Sequence, residues 1–122
     1  MKTILIVDDH ERIRELVAAT LGDIGEYQIL EAKSGEEGVA LAKERKPDLI
    51  LMDVSMPGKY DGLDATRLIK ADPDTSKIYV IMLTARGQLA DKEKGEQSGA
   101  DGYFVKPFSP MELIRKVESL LG

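Results

Sequence analysis

The segment that decides the fold is residues 3–9, Thr-Ile-Leu-Ile-Val-Asp-Asp, close to the N-terminus. Its first part is a near-continuous apolar run, which is typical of a strand in a parallel sheet with both faces covered. Apolar residues then recur at helical spacing after Asp9, at Ile13, Leu16, Val17, Leu21 and Ile24. A strand followed directly by an amphipathic helix predicts the first βα unit of an α/β protein.

The same alternation continues along the whole chain. Five short apolar runs alternate with five longer helical patterns, and the runs cover residues 3–7, 27–31, 49–52, 79–83 and 102–105. The first, third and fourth runs are the most continuously apolar, so we expect them to be central strands. The second alternates between apolar and polar residues and is a candidate edge strand. This order of elements predicts a parallel sheet covered by helices.

Local signals mark several helix ends. Gly22 or Gly25 is expected to help stop the first helix. The spacing of a capping box at 34–37 and again at 109–112 predicts the starts of the second and last helices. Pro47 is expected to close the second helix.

The two middle helical patterns differ in how much they have to bury. Residues 63–71 carry a moderate apolar face, whereas residues 86–98 are polar apart from Leu89 and Ala90. The predicted fourth helix, 86–98, is therefore either merely marginal in stability or able to shift when something nearby changes.

The bulk composition excludes several classes of function. A net charge of -5 with no basic stripe argues against direct binding of nucleic acid or anionic lipid. The absence of cysteine excludes a disulfide framework, a thiolate metal site and a cysteine nucleophile. The apolar stretch before Asp8 is too short for a signal peptide or a membrane span, which predicts a cytoplasmic protein without membrane attachment.

A chain of 122 residues fits one domain with its own core. No linker, internal repeat or low-complexity stretch divides it, and Gly122 follows the last helical pattern directly. We therefore expect a single domain over residues 1–122 with no output domain. The alternative, a fragment excised from a longer protein, stays open.

Polar side chains end four of the five predicted strands. Asp8 and Asp9 follow the first strand, Asp53 the third, Thr84 the fourth and Lys106 the fifth. Because ligands of open parallel sheets bind outside the carboxyl ends of the strands, we expect these residues to share one rim. Taken singly, the Asp8-Asp9 pair is more often a helix cap or a solvated turn, the threonine a helix cap and the lysine a surface charge. Together they favour a functional site.

The chemistry of this set points to phosphoryl transfer. Three carboxylates placed together repel one another, and Mg2+ would relieve that repulsion while keeping positions for waters and a phosphate oxygen. Asp53 ends a buried run and needs a partner, either the cation or Lys106. A carboxylate can also act as a nucleophile and form an acyl phosphate. The metal, Lys106 and the Thr84 hydroxyl would then stabilise the phosphoryl oxygens.

A set of short motifs spans essentially the whole chain: Asp8-Asp9, Met52-Asp53, Met56-Pro57, Asp61-Gly62, Thr84-Ala85, Gly99-Ala100-Asp101-Gly102-Tyr103 and Lys106-Pro107-Phe108. In these motifs the chain resembles the receiver domains of bacterial response regulators. The resemblance implies a flavodoxin-like, doubly wound (βα)5 fold with a five-stranded parallel sheet of order 2-1-3-4-5. It also implies a phosphorelay receiver, which is a signalling switch that catalyses its own phosphorylation and dephosphorylation and is not a turnover enzyme.

The resemblance implies a metal-dependent acceptor site. Asp53 would be the phosphoacceptor, and Mg2+ or Mn2+ would bind directly to Asp9 and Asp53. Asp8 would act largely through water, and the backbone carbonyl of Ser55 would complete the protein ligands. Lys106 would pair with a phosphoryl oxygen.

The resemblance also implies a switch and its partners. Thr84 would move toward a phosphoryl oxygen and Tyr103 would turn inward, which would alter the face formed by the fourth predicted helix and the fifth strand. That face would bind a downstream partner. Because His10 is the single histidine, the phosphoryl group must come from outside the chain, and the resemblance implies a sensor histidine kinase or a histidine phosphotransfer protein as its donor. The protein would be a monomer or a phosphorylation-dependent dimer, and the bond from Lys106 to Pro107 would be cis.

Two features bear on the details of the site that the resemblance implies. The loop at 58–60 is one residue longer than is common in the family, and Ser55 and Arg86 match positions that tune the lifetime of the phosphoryl group.

Two rival functions stay open. A small phosphohydrolase is one rival, but such enzymes commonly need an acid two residues after the nucleophile, where this chain has Ser55. A flavin or nucleotide module is the other, although no phosphate-cradling glycine loop follows the first strand.

Overall fold

The computed structural model describes residues 1–24, 26–85 and 99–121. These residues contain five strands, β1 (Lys2–Val7), β2 (Tyr27–Ala32), β3 (Leu49–Asp53), β4 (Tyr79–Ala85) and β5 (Gly102–Lys106). They also contain the helices α1 (Glu11–Gly22), α2 (Gly35–Arg45) and α3 (Gly62–Ala71) and a C-terminal helix (Pro110–Leu121). The predicted helix at 86–98 lies outside the described residues.

The strands form one parallel sheet of order β2-β1-β3-β4-β5, which confirms the expected topology. β1 lies between β2 and β3, so the order of strand addition reverses there. Such a reversal opens a crevice at the carboxyl ends of the strands. In the register Val7 is paired with Met52, and the residues that follow them, Asp8 and Asp53, are brought side by side at this crevice.

Apolar side chains cover both faces of the sheet. One core cluster includes Leu5, Ile50 and Met52 and is covered by α2 and α3. The opposite cluster includes Ile4, Ile6, Leu49, Leu51, Ile81 and Leu83 and is covered by α1 and the C-terminal helix. The three most continuously apolar runs are therefore the central strands, as predicted, and β2 is an edge strand. Among the described residues no helix has the length and apolar character needed to cross a membrane.

The second helix and the C-terminal helix begin where the capping signals predict. The Ser34 hydroxyl accepts a hydrogen bond from the Glu37 backbone N–H at 3.2 Å, and the Ser109 hydroxyl accepts one from Glu112 at 3.2 Å. α1 ends at Gly22, so Ile24, counted in the predicted periodicity, lies past the helix but still packs on the core.

The connection from β3 to α3 is the tightest point near the crevice. Asp61 caps α3 by accepting from the Asp64 backbone N–H at 2.8 Å, and Asp64 accepts in turn from Asp61, a capping box that sequence analysis did not identify. Gly62 donates its backbone N–H to the Val54 carbonyl at 3.0 Å. A Cβ atom on Gly62 would lie 1.9 Å from the Asp53 carbonyl oxygen, so only glycine allows α3 to begin this close to Asp53.

Candidate functional site

Two buried carboxylates lie next to each other at the crevice. Asp8 follows β1 and is fully buried, and Asp53 ends β3 with 5% of its surface exposed. The Asp8 backbone N–H donates to the Ala32 carbonyl at 3.1 Å, which continues the pairing of β1 with β2 by one residue. Asp9 comes next and is only partly buried, with 28% of its side chain exposed. The edge of the sheet thus holds three carboxylates, two of them withdrawn from water.

The ammonium group of Lys106 joins the two buried carboxylates. Its Nζ donates to Asp8 Oδ2 at 2.9 Å and to Asp53 Oδ1 at 3.1 Å. Lys106 ends β5, and β4 lies between β5 and β3, so the side chain crosses the end of β4 to reach them. The lysine is itself mostly buried, with 18% of its side chain exposed. One positive charge therefore faces two buried negative charges.

The pKa values of Asp53 and Lys106 are both shifted in this arrangement. Burial, followed by repulsion from Asp8, raises the pKa of Asp53 from its ordinary 3.8 to about 6, against the opposing charge and hydrogen bond of Lys106. Burial alone would lower the pKa of Lys106, but the hydrogen bond to Asp8 and the charges of Asp53 and Asp8 outweigh it and raise that pKa. The site therefore holds an excess of negative charge that a cation would relieve.

His10 extends the cluster on its solvent side. Its backbone N–H donates to Asp8 Oδ1 at 2.8 Å, and its ring Nδ1 lies 3.0 Å from the same oxygen and 3.2 Å from Asp9 Oδ1. From the sequence, His10 served only to indicate that the phosphoryl group comes from another protein, and it was not predicted to lie at the site. Its position directly after the two aspartates was the signal that could have identified it.

The donor atoms fit a hard divalent cation. Carboxylate oxygens of Asp8, Asp9 and Asp53 and a ring nitrogen of His10 all lie within 4.8 Å of one another. Asp9 Oδ1 is buried and accepts no hydrogen bond within the described part of the chain, despite the nearby His10 ring. A buried, unsatisfied carboxylate oxygen is costly, and coordination to Mg2+, which prefers oxygen ligands, would satisfy it.

The structure places the other predicted site residues around this core. Thr84 lies near the end of β4 and is buried, with 6% exposed. Tyr103 lies on β5, opposite Met82 in the register, and packs against the core cluster under α2 and α3. Ser55 is exposed, two residues after Asp53. The Lys106–Pro107 bond is cis, as expected, whereas Arg86 lies outside the described residues.

Comparison with known proteins gives one consistent result. The family model described as "Response regulator receiver domain" matches residues 4–118. The phosphate regulon transcriptional regulatory protein PhoB of Pseudomonas aeruginosa is 46% identical over 120 residues, which cover 98% of this chain and 52% of that protein. Protein PilH of the same organism is 41% identical over 122 residues, which cover 100% of this chain and 99% of that protein. The chain spans about half the length of several curated relatives that it matches.

Solved structures agree with the sequence relatives. A response regulator from Chloroflexus aurantiacus, described as putative, superposes with a TM-score of 0.91 at 36% identity and covers 98% of this chain and 97% of that one. The receiver domain of sensor histidine kinase PA1611 from Pseudomonas aeruginosa, solved with magnesium coordinated in its active site cleft, gives 0.88 at 33% identity and covers 98% and 96%. The chain shares the fold of these proteins and has an acidic crevice, and the family model matches its residues 4–118. This chain therefore belongs to the family of response regulator receiver domains.

Proposed function

We propose that Asp53 accepts a phosphoryl group from a sensor histidine kinase or a histidine phosphotransfer protein in a Mg2+-dependent reaction. One observation carries this proposal. The Asp53 carboxylate is buried at the end of β3, 3.1 Å from the Lys106 ammonium and beside two more carboxylates. Asp8 is fully buried and accepts from the His10 backbone N–H in addition to Lys106, whereas Asp53 keeps 5% of its surface exposed, so Asp53 is the better placed nucleophile.

In the proposed reaction a carboxylate oxygen of Asp53 attacks the phosphorus of a phosphohistidine in the donor. An O–P bond forms, the N–P bond breaks with its electron pair staying on the histidine nitrogen of the donor, and a proton from solvent neutralises that nitrogen. In the free protein the Lys106 ammonium donates a hydrogen bond to the Asp53 carboxylate. After transfer it pairs with an oxygen of the new acyl phosphate and neutralises part of its charge. Thr84, at the end of the strand between Asp53 and Lys106, donates its hydroxyl to another.

Asp9 and Asp53 are the proposed direct ligands of Mg2+ or Mn2+, with Asp8 acting through water and the Ser55 backbone carbonyl completing the protein donors. The unsatisfied Asp9 oxygen supports this assignment, as does the magnesium bound in the related PA1611 domain. When bound, the cation supplies positive charge that the single ammonium of Lys106 does not.

The switch is proposed to run from Thr84 to Tyr103. Phosphorylation draws the Thr84 hydroxyl toward the phosphoryl group, and Tyr103, which packs on the adjacent core, turns inward. The face formed by β5 and residues 86–98 then changes its affinity for a downstream protein partner. We infer a cytoplasmic switch, monomeric or dimerising on phosphorylation, that catalyses its own phosphorylation and dephosphorylation and neither binds nucleic acid directly nor attaches to a membrane.

Intact-mass measurement tests this proposal. The protein is incubated with acetyl phosphate and Mg2+, together with the variants Asp53→Asn and Asp23→Asn. Asp23 is an exposed carboxylate just after α1 and serves as the matched control. We expect wild type and Asp23→Asn to gain the mass of one phosphoryl group and Asp53→Asn to gain none. Unmodified wild type, or equal modification of Asp53→Asn, would reject the assignment, and rapid turnover of the donor without accumulation of phosphorylated protein would favour a phosphohydrolase.

A further inference from the structure

Arg14 links the helix α1 to the ends of two strands. Its Nη1 donates to the backbone carbonyl of Asp8 at 2.7 Å, and its Nε lies 3.3 Å from Glu31 Oε1. Only 15% of the arginine side chain is exposed, whereas Glu31 is 45% exposed. The guanidinium contacts both groups, and its contact with the main-chain oxygen at the crevice is shorter than its contact with the Glu31 carboxylate.

That main-chain oxygen has a particular place in the site. It belongs to the peptide group between Asp8 and Asp9, and a peptide group is planar. Fixing the direction of the carbonyl therefore fixes the plane of the peptide and the point from which the Asp9 side chain leaves the backbone. The Asp8 backbone N–H is held by Ala32 at 3.1 Å, so Arg14 restrains the opposite end of the same residue.

Asp9 has little else in the described structure to hold it in place. Its Oδ1 is buried and accepts no hydrogen bond from the described residues, and the His10 ring beside it is 65% exposed. A metal ligand needs its direction fixed by groups outside the coordination shell, since loss of such support typically weakens metal binding. The carbonyl clamp supplied by Arg14 is a support of this kind.

We propose that Arg14 is a positioning residue, which orients the Asp8–Asp9 peptide so that Asp9 faces the metal. This inference rests on the proposed function, because it assumes that Asp9 is a ligand. Arg14 itself contacts neither the cation nor the phosphoryl group. A planar guanidinium with donors in a fixed fork suits the task, because it reaches the carbonyl and Glu31 together, whereas a lysine ammonium is a single point.

The charge of Arg14 predicts the opposite result from its geometry. On Coulomb grounds alone, removing the positive charge of Arg14 removes a repulsion and strengthens binding of the cation. Removing the carbonyl clamp frees the Asp8–Asp9 peptide and weakens binding. The sign of the change therefore separates positioning from simple electrostatics.

The test is the Mg2+ affinity of the full chain, measured by calorimetry for wild type, Arg14→Gln and Arg12→Gln. Arg12 is an exposed arginine on the same helix, so Arg12→Gln carries the same change in net charge. We expect the dissociation constant of Arg14→Gln to rise about 10- to 100-fold. We expect that of Arg12→Gln to stay within about twofold of wild type, as for an exposed charge screened by salt.

A second readout distinguishes positioning from loss of structure. With acetyl phosphate as donor, Arg14→Gln should need more Mg2+ for half-maximal phosphorylation, while the maximal rate at saturating Mg2+ stays near that of wild type. If Arg14→Gln does not fold, Arg14→Lys replaces it, and we expect this variant to bind Mg2+ at least about threefold more weakly because its fork is lost.

Two outcomes would overturn the inference. One is Mg2+ affinity that is unchanged or higher in Arg14→Gln, or in Arg14→Lys if that variant is used. The other is a lowered maximal rate with an unchanged Mg2+ requirement. Both leave the proposed function intact as long as wild type binds Mg2+ and is phosphorylated on Asp53. Failure of wild type in those two respects would instead reject the proposed function.

Discussion

At the scale of single residues, the site is a conflict between burial and charge. Asp53 and Asp8 are buried together and share the ammonium of Lys106, so negative charge exceeds positive charge in a place poor in water. Such an arrangement costs stability in the free protein, since burial and repulsion from Asp8 raise the pKa of Asp53. The proposed function makes use of this charge, since the carboxylate oxygens would hold a cation and Lys106 would pair with an oxygen of the phosphoryl group.

This conflict predicts that Asp53→Asn stabilises the metal-free protein at neutral pH. The pKa of Asp53 is raised from 3.8 to about 6, so folding favours its protonated form. The contribution of Asp53 to stability is therefore present below about pH 4 and lost as the pH rises through about 6. In EDTA, urea unfolding should give Asp53→Asn up to about 3 kcal/mol more stability than wild type at pH 7.5.

The difference between the two proteins should shrink toward pH 4.5, where Asp53 is mostly protonated in the folded protein. All other ionisable groups are common to both proteins, so the comparison isolates this carboxyl group. A difference that does not vary with pH, or a variant less stable than wild type at pH 7.5, would refute burial and repulsion from Asp8 as the origin of the raised pKa.

Sequence predicted the acidic residues of the site but not what surrounds them. Strand ends place Asp8, Asp9, Asp53 and Lys106 on one rim, and the structure brings these four together. The contacts of His10 and Arg14 depend on side-chain directions over a helix turn, which periodicity does not specify. The roles in metal binding and phosphoryl transfer stay predictions until they are measured.

At the scale of elements, the five strands lie within one or two residues of their predicted bounds. The three central strands were predictable from their continuous apolar runs, because a central strand of a parallel sheet is buried on both faces. The start of α3 was less predictable. Its capping box uses Asp61 and Asp64, and its approach to Asp53 depends on a main-chain contact at Gly62 that has no signature in hydrophobic pattern.

Gly62→Ala should therefore be strongly destabilising. A methyl group at residue 62 would overlap the Asp53 carbonyl oxygen, 1.9 Å away, and the main chain of β3 would have to shift. We expect a loss of at least about 1–3 kcal/mol in the free energy of unfolding by urea, the usual cost of overpacking. Phosphorylation of Asp53 should slow as well, because the shift moves the acceptor.

Gly22→Ala is the matched control for that substitution. Gly22 is the last residue of α1, and a Cβ atom there would meet nothing within 4 Å. The same chemical change should thus be neutral or stabilising by up to about 1 kcal/mol, through helix propensity and a less flexible unfolded chain. Equal destabilisation of both variants would show that the close approach at Gly62 is not what matters.

At the scale of the whole molecule, the chain is a two-sided parallel sheet with its site at the point where strand order reverses. This architecture was predictable because each strand and helix repeats one pattern and parallel connections follow few topologies. The partner face stays a prediction, since the predicted helix at 86–98 lies outside the described residues. The absence of an output domain also stays a prediction, and relatives of about twice this length and of equal length both occur.

Binding of Mg2+ should stabilise the whole fold, because the ligands converge only when β1 and β3 are paired. At a Mg2+ concentration about 100 times the dissociation constant, linkage predicts a gain of about 2.7 kcal/mol in the free energy of unfolding. We expect the urea midpoint of wild type to rise on addition of Mg2+ and that of Asp9→Asn to rise much less. An equal rise in Asp9→Asn would contradict the assignment of Asp9 as a ligand.

The central claim, that the phosphoryl group resides on Asp53, is tested most directly by trapping the acyl phosphate in the wild-type protein. Hydride from borohydride reduces an acyl phosphate to an alcohol with release of phosphate, so a phosphorylated aspartate becomes homoserine at its position in the chain. After incubation with acetyl phosphate and Mg2+, peptide mass mapping should find homoserine at residue 53, and none when EDTA replaces Mg2+. Homoserine at residue 8 or 9 in place of 53, or at no residue, would contradict the claim.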